Sequence, residues 1–166
     1  MISLPFMTPA QAQEPTIDAL FAQLQNQPAD SDRIIEKIKS IWAESGSASM
    51  DLLLKRGHDA REAGDLTAAI EHFSALVDHA PEFPEAYNAR ALAYFEAGYI
   101  GPAVVDLRMA LALNPRHFKA MTGLAILQES LGQPENALKT YRMVLDLLPN
   151  NKDILASIAR LEGVAL

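Results

Sequence analysis

Histidine is the residue type in this chain best suited to acid–base or metal chemistry near neutral pH. His72 and His79 lie seven residues apart on one predicted helix and could share a face. Zinc-binding pairs on a helix are usually spaced three or four residues apart, with a third ligand nearby. The spacing therefore favours solvent-exposed histidines over a metal site. The four histidines to which this prediction applies are His58, His72, His79 and His117.

Other sequence features also argue against catalysis. Ser45-Gly46-Ser47 has a nucleophile-loop composition, but it lacks the strand–turn–helix context of a nucleophile elbow. The sequence has no glycine-rich phosphate loop, and its acidic residues are scattered at predicted helix surfaces, where most are helix-start or solvating charges. It contains no cysteine, which excludes disulfides and thiolate metal sites. We therefore predict a protein that is not an enzyme and that holds no cofactor or metal.

The elements that position any site follow a period. Pro81, Pro115 and Pro149 are spaced 34 residues apart, and one series of glycines and one of alanines repeat with the same period. A glycine suits the left-handed residue that ends a helix, an alanine lets two helices approach closely, and a proline ends a helix. Asp65 is a candidate N-cap. The two other series are Gly64, Gly98, Gly132 and Ala69, Ala103, Ala137.

Apolar residues fall at helical spacing within each period, with units starting at Met50, Pro84 and Phe118. Large residues occupy the fourth position of the units (Leu53, Tyr87 and Met121) and the twenty-fourth (Phe73, Leu107 and Tyr141). Small residues occupy the eighth position (Gly57, Ala91 and Ala125).

This pattern resembles the tetratricopeptide repeat, which has small residues at positions 8 and 20, an aromatic at 24 and proline at 32. The sequence departs from it at Arg56 and Arg90, where an apolar residue is usual, and at Ala60 and Gln128. The resemblance implies an all-α fold, an α-solenoid of antiparallel helix pairs forming a right-handed superhelix. The implied repeats are 50–83, 84–117 and 118–149.

Both ends of a repeat stack need caps. Residues 150–166 are expected to form a C-terminal capping helix that starts after Asn150-Asn151. Residues 13–46 contain two amphipathic segments, which predict a helical hairpin. The hairpin is expected to be a degenerate leading repeat that caps the stack. The alternative is that it folds back into the groove.

Residues 1–12 carry no charge, and Ala10-Gln11-Ala12 matches the small-x-small pattern before a signal-peptidase cut, although a basic n-region is missing. We expect a signal-peptide remnant and export to a bacterial periplasm. The alternatives are an ordinary frayed terminus and a cytoplasmic protein. No apolar run is long enough to span a bilayer.

The net charge of −7 makes nucleic acid an unlikely partner. The acidic excess lies in the first half of the chain. This charge fits solubility, or attraction of a basic partner.

The resemblance implies that the first helix of each unit lines a concave groove. The groove expected here has an apolar middle and a polar rim, which suits a peptide anchor. Alternatively, Leu92 and Phe95 pack on the leading hairpin or on a second copy. The expected groove residues are Leu54, His58, Arg61, Asn88, Leu92, Phe95, Lys119, Thr122, Ile126 and Glu129.

Some family members clamp the terminal carboxylate of chaperone tails with lysine, asparagine and arginine at five positions. Only Lys119 matches that set in this sequence. The other four positions hold Leu54, His58, Ala89 and Gly123. The sequence therefore argues against a chaperone-tail adaptor.

Two functions follow from these expectations. The first is a non-catalytic scaffold that binds a peptide segment of an unidentified protein partner in the groove. The second is a structural, self-associating module of an envelope complex, which would form a homo-oligomer.

Overall fold

The computed structural model describes residues 15–163, and every regular element in that range is helical. The predicted signal segment 1–12 lies outside the described residues. No helix within 15–163 is both long and apolar enough to cross a membrane. The helices are α1 (Ile17–Asn26), α2 (Ser31–Trp42), α3 (Ala48–Glu62), α4 (Leu66–His79), α5 (Pro84–Glu96), α6 (Ile100–Leu113), α7 (Phe118–Ser130), α8 (Pro134–Leu147) and α9 (Lys152–Glu162), with a 3-10 turn at Pro28–Asp30 before α2.

Helices α3 to α8 form three pairs, α3–α4, α5–α6 and α7–α8, and each pair packs on the next. Short turns join the two helices of each pair, which makes them antiparallel. Helix α9 continues the stack by packing on α8. This architecture confirms the predicted all-α solenoid of antiparallel helix pairs.

The turn inside each pair is built around a left-handed glycine. Gly64, Gly98 and Gly132 have φ of 79°, 81° and 70°. In the first turn the Asp65 amide donates to the Ala60 carbonyl at 2.9 Å, which is the long hydrogen bond of a Schellman motif. A residue with a Cβ is strained at such φ values, so the spacing of these glycines fixes where the first helix of each pair ends.

The core of the first two pairs depends on small residues facing aromatic rings. Phe73 is fully buried, and a Cβ built on Gly57 would overlap its ring.

Arg90 occupies a position where the repeat usually has an apolar residue. Its guanidinium donates to both carboxylate oxygens of Asp106 at 2.7 and 2.8 Å. Its guanidinium carbon also lies 5.7 Å from the centre of the Tyr94 ring. The departure at Arg90 is therefore compensated by a largely buried ion pair.

The N-terminal hairpin α1–α2 does not occupy the leading end of the stack, where the sequence predicts a capping repeat. Its apolar side belongs to a second core cluster with residues of the third pair and α9. Trp42 lies 4.9 Å from Phe118 at the start of α7, measured between ring centres. In this position the apolar side of the hairpin is removed from water together with Phe118, Tyr141 and Ile154, which stabilises this arrangement. The hairpin residues buried there are Leu20, Phe21, Leu24, Ile34 and Ile38.

Polar contacts hold the hairpin in the same place. The Arg116 guanidinium donates to the Asp18 carboxylate at 2.6 Å, and the Gln25 amide donates to the Asp146 carbonyl at 2.9 Å. The first contact lies at the start of α1 and the second near its end. Helix α1 is therefore fixed at both ends against the α6–α7 turn and α8.

Helix α9 is capped by Asn151, whose side chain accepts a hydrogen bond from the Ile154 amide at 3.0 Å. Ile154 and Ala159 bury one face of the helix. Gly163 follows in the left-handed conformation, with φ of 69°. This helix closes the third pair and also borders the groove.

Candidate functional site

An open cleft of about 400 Å³ lies on the surface formed by α5 and α7. Helix α2 of the hairpin and the start of α9 border it. Leu92, Phe95 and Ile126 are 40 %, 37 % and 44 % exposed, although they are large apolar residues. Besides these three, the cleft is lined by Ile35, Lys39, Asn88, Ala91, Leu107, Phe118, Lys119, Thr122, Gly123, Leu127, Leu148, Asn151, Asp153 and Ile154.

The hairpin therefore lies closer to the fold-back arrangement than to the capping one. Its Ile35 and Lys39 form part of the cleft wall. The cleft nevertheless stays open, because the exposed apolar residues of α5 and α7 remain uncovered.

Six of the ten predicted groove residues line this cleft. They are Asn88, Leu92, Phe95, Lys119, Thr122 and Ile126. Four do not. Leu54 is 5 % exposed and lies in the core, where it packs with the first two helix pairs.

The other three do not line it, although Glu129 lies beside it in a neighbouring pocket with Thr122 and Ile126. The His58 ring packs edge-on against Phe73, with the ring centres 5.3 Å apart, and burial lowers its pKa. Arg61 donates to Glu96 at 2.8 Å. Glu129 accepts from the Tyr141 hydroxyl at 2.6 Å and pairs with Arg160 at 2.7 Å. Helical spacing alone does not distinguish these side chains from those that line the cleft. It takes no account of the neighbouring helices whose residues bind them.

Several polar side chains of the cleft are hydrogen-bonded within the protein. Asn88 donates to Glu85 at 3.3 Å, Thr122 donates to the Phe118 carbonyl at 2.8 Å, and Lys119 donates to Glu85 at 2.6 Å. Lys39 pairs with Glu36 at 2.7 Å along α2. The cleft thus presents apolar surface with polar groups at its edges.

Beside the cleft lies a buried ionic cluster of Glu85, His117 and Lys119. Glu85 is 4 % exposed and His117 is fully buried. The Nε2 of His117 lies 3.0 Å from Oε2 of Glu85, and Lys119 binds Oε1. Trp42 covers this cluster, because its ring stacks on the His117 imidazole at 4.6 Å and 16°.

The hydrogen bonds define the state of this cluster. The Ala120 amide donates to Nδ1 of His117 at 3.2 Å, so Nδ1 carries no proton and Nε2 is the donor to Glu85. Burial alone would raise the pKa of Glu85. The hydrogen bond from His117 and the charge of Lys119 outweigh it and hold that pKa below its usual value. The cluster is thus a buried carboxylate with two donors.

The prediction of a solvent-exposed His117 is wrong. Glu85 does lie at a helix start, as expected of most acidic residues, whereas Asp106 lies in the middle of α6 and is neither a helix-start nor a solvating charge. Counted over the whole residue, Glu85 and Asp106 are each 4 % exposed. His117 sits one residue before α7, at a helix start that favours a capping side chain. That position is the available signal in the sequence. Its burial depends on Trp42, which is distant in sequence.

The residues at the positions of the chaperone-tail clamp make other contacts in this fold. Leu54 and Ala89 are buried, and Gly123 lies close to Leu107. His58 packs on Phe73, and the ammonium of Lys119 is held by Glu85. Of the five positions, only that of Lys119 carries a lysine or arginine.

A family model described as tetratricopeptide repeat matches residues 54–99 and 103–152. A TPR repeat-containing protein of Rhizobium etli is 30 % identical over 138 residues, which are 82 % of this chain and 68 % of that protein. Hsp70-Hsp90 organizing protein 2 of Arabidopsis thaliana is 26 % identical over 106 residues, which are 64 % of this chain and 19 % of that protein.

Among solved structures, the first TPR of Spaghetti bound to the HSP90 peptide SRMEEVD superposes with a TM-score of 0.66 and 28 % identity. The match covers 69 % of this chain and 90 % of that domain. An Arabidopsis OM64 TPR domain superposes with the same TM-score at 22 % identity, which shows likeness of fold.

Proposed function

Because the chain belongs to the tetratricopeptide-repeat family, we propose that it is a non-catalytic scaffold that binds a peptide segment of a protein partner in the cleft. The observation that carries the proposal is the convergence of Leu92, Phe95 and Ile126 on one open cleft while each is more than a third exposed. Covering such side chains removes apolar surface from water, at roughly 25 cal/mol per Å². A few buried anchors of this kind supply most of the affinity of a peptide site.

Similarity to peptide-binding domains supports the binding of a peptide in the cleft. It does not imply that this chain binds the same peptide. The Spaghetti domain holds an acidic HSP90 peptide. In this chain the corresponding clamp positions hold Leu54, His58, Ala89 and Gly123, which offer no cluster of cationic donors. We therefore assign the cleft to an apolar segment rather than to an acidic chaperone tail.

The absence of catalysis is part of the proposal. His117 is fully buried, and both of its ring nitrogens are engaged by Ala120 and Glu85. A general base must reach its substrate within hydrogen-bond distance. The pair at His117 and Glu85 is therefore better suited to holding helices together.

A binding experiment with matched variants tests the proposal. Peptides selected from a display library on the full chain are measured against the wild type, Phe95→Asp and Val105→Asp. Val105 is the matched control because it is 63 % exposed on α6 and does not line the cleft. We expect Phe95→Asp to weaken binding by at least about tenfold, and Val105→Asp to leave it unchanged. Equal binding to the wild type and Phe95→Asp would rule out the cleft.

A second function is favoured by another apolar surface. Val105, Met109 and Leu113 form a stripe on α6, with 63 %, 43 % and 37 % exposure. The stripe lies on the side of α6 opposite Leu107, which faces the cleft. Such a stripe suits self-association of the chain in a larger complex. Sedimentation at several concentrations tests it, with Val105→Asp expected to abolish any dimer while Phe95→Asp does not.

We propose, from the uncharged residues 1–12, that the protein acts after export to a bacterial periplasm. Mass spectrometry of the protein recovered from cell fractions tests this. Recovery of the intact chain in the cytoplasm would contradict it.

A further inference from the structure

We infer that the outward face of α6 binds the same face of a second copy of this chain, so that two copies form a symmetric dimer with both clefts free. This inference rests on the second proposed function, because it names the partner of the apolar stripe on α6. The outward face is defined as the exposed residues on the side of α6 away from Leu107, and it consists of Gly101, Pro102, Val105, Met109, Ala112 and Leu113.

The outward face of α6 differs from the equivalent faces of the other two helix pairs. The 34-residue period assigns the same six positions to α4 and α8, which are the second helices of their pairs. On α4 and α8 these positions include five exposed charged residues, namely Glu71, Asp78, Glu135, Lys139 and Asp146. On α6 none of the six residues is charged. The repeat therefore tolerates charge at these positions, and the apolar face is a feature of the middle pair alone.

The apolar side chains of this face are large and remain in contact with water. Val105 and Met109 are 63 % and 43 % exposed, and Met143, at the position of α8 equivalent to Met109, is 47 % exposed. Large apolar residues that gather on one exposed face mark an interaction surface. The charged residues of α4 and α8 surround it as a polar rim, which is the arrangement found in protein–protein interfaces.

Charge determines which surface of this chain can meet a second copy. The formal net charge is −7, so two copies repel each other unless their contact surface excludes acidic residues. The outward face of α6 meets that condition. Its rim is also self-complementary, because Glu71 of α4 and Lys139 of α8 hold the same repeat position in the pairs on either side of α6. A two-fold axis parallel to α6 brings Glu71 of each copy to the side of Lys139 of the other.

The size of the face predicts a reversible dimer. At about 1.5 Å per residue, the helix from Gly101 to Leu113 is roughly 18 Å long. A stable interface of standard size buries about 800 Å² on each partner, which is more than one helix face of this length supplies. We expect monomer and dimer to exchange, with a dissociation constant in the micromolar range.

The dimer leaves peptide binding intact. Leu107 lies on the opposite side of α6 and lines the cleft. A contact between two α6 helices therefore leaves each cleft exposed. Two clefts in one assembly bind a partner that carries two copies of the segment more tightly than a single cleft does.

Sedimentation velocity of the full chain between about 1 and 300 µM tests the dimer over the affinities expected of a small reversible interface. We expect the wild type to shift from monomer to dimer within this range. Val105→Asp places a charge in the centre of the face and should raise the dissociation constant at least about tenfold. Phe95→Asp adds the same charge in the cleft and should dimerise as the wild type does. Circular dichroism should show equal helix content in all three proteins.

Single-cysteine variants can report the contact between copies, because the chain contains no cysteine. Met109 and Ile126 are matched positions, since they are 43 % and 44 % exposed and lie on α6 and in the cleft, respectively. With a short bifunctional maleimide, Met109→Cys should yield a covalent dimer and Ile126→Cys should not. The cross-link should disappear when Val105→Asp is added to Met109→Cys.

A charge exchange tests the direction of the two-fold axis. Glu71→Lys and Lys139→Glu should each weaken the dimer severalfold at low salt, because each places like charges on facing rims. The double variant exchanges both signs and should restore the dimer. If the double variant dimerises no better than either single variant, the two-fold axis does not run along α6.

The outcomes separate this inference from the proposed functions. A chain that stays monomeric throughout the concentration range, or a dimer that survives Val105→Asp, would overturn the inference. Self-association that is lost in Val105→Asp but gives no cross-link through Met109→Cys would overturn the symmetric dimer and leave self-association through α6 in place. Peptide binding in the cleft is judged independently, by its loss in Phe95→Asp.

Discussion

The Nε2 of His117 and the Oε2 of Glu85 lie 3.0 Å apart, and both side chains are almost completely removed from solvent. Glu85 belongs to the first turn of α5, and His117 immediately precedes α7. The contact therefore joins the second and third helix pairs at the edge of the cleft. Trp42 of the hairpin stacks on the same imidazole, so the contact also fixes α2 as a cleft wall.

The pH dependence of stability should reveal Glu85. Its pKa is held below 4.5, so the ionised carboxylate stabilises the fold fully above about pH 4.5. The stabilisation is lost as pH falls through the lowered pKa. We expect the free energy of unfolding to fall less steeply with acidification in Glu85→Gln than in the wild type. Urea denaturation between about pH 5 and 3 measures this difference, and parallel curves would contradict it.

Trp42 should report and control the position of the hairpin. It is the single tryptophan of the chain, and its ring packs on His117, Phe118 and Phe21. Truncation to alanine removes this packing, and because Trp42 is only partly buried we expect a cost below the roughly 3–5 kcal/mol of a core aromatic. We expect faster amide hydrogen exchange in α1 and α2 with unchanged exchange in α3 and α4. Tyr99→Ala, at a 56 % exposed aromatic, is the control and should leave the hairpin protected.

Local patterning is enough to predict the repeats. Gly64, Gly98 and Gly132 fix the turns because a left-handed conformation is a property of the residue itself. Asp65 likewise caps α4 through the Ala68 amide at 3.0 Å, as predicted from its position. These features depend on residues within a few positions of each other, so a single sequence reveals them.

The hairpin and the ionic cluster cannot be predicted in the same way. The contacts of Trp42 with Phe118 and of Glu85 with His117 join residues that are distant in the chain. The spacing of apolar residues shows which face of each helix is apolar, but it does not show which two apolar faces pack together in the fold. The sequence pattern therefore assigns His117 to solvent and places the hairpin at the wrong end of the stack.

The ion pair of Arg90 and Asp106 should be more important to stability than the surface pairs. The two side chains are 15 % and 6 % exposed. Removing one partner of such a pair leaves an uncompensated buried charge, which costs about 3–5 kcal/mol. We expect Arg90→Ala to lower the free energy of unfolding by an amount in that range. Lys55→Ala is the control, since its pair with Asp59 is exposed and worth less than about 1 kcal/mol. Similar losses in the two variants would show that Arg90 is not coupled to Asp106.

Two helical glycines should respond in opposite ways to the same added methyl group. Gly57 of α3 faces Phe73, and a Cβ at Gly57 would lie 2.6 Å from Cδ1 of that ring. The ring is fully buried and has little space to move, so Gly57→Ala forces a shift of α3 against α4. We expect a net loss of about 1–3 kcal/mol in the free energy of unfolding, despite the better helix propensity of alanine. A Cβ at Gly101 of α6 would meet no atom within 4 Å, so Gly101→Ala should be neutral or stabilising by up to about 1 kcal/mol. Thermal and urea denaturation of both variants measure the difference. If Gly57→Ala is as stable as Gly101→Ala, the small residue at this position does not set the distance between the two helices.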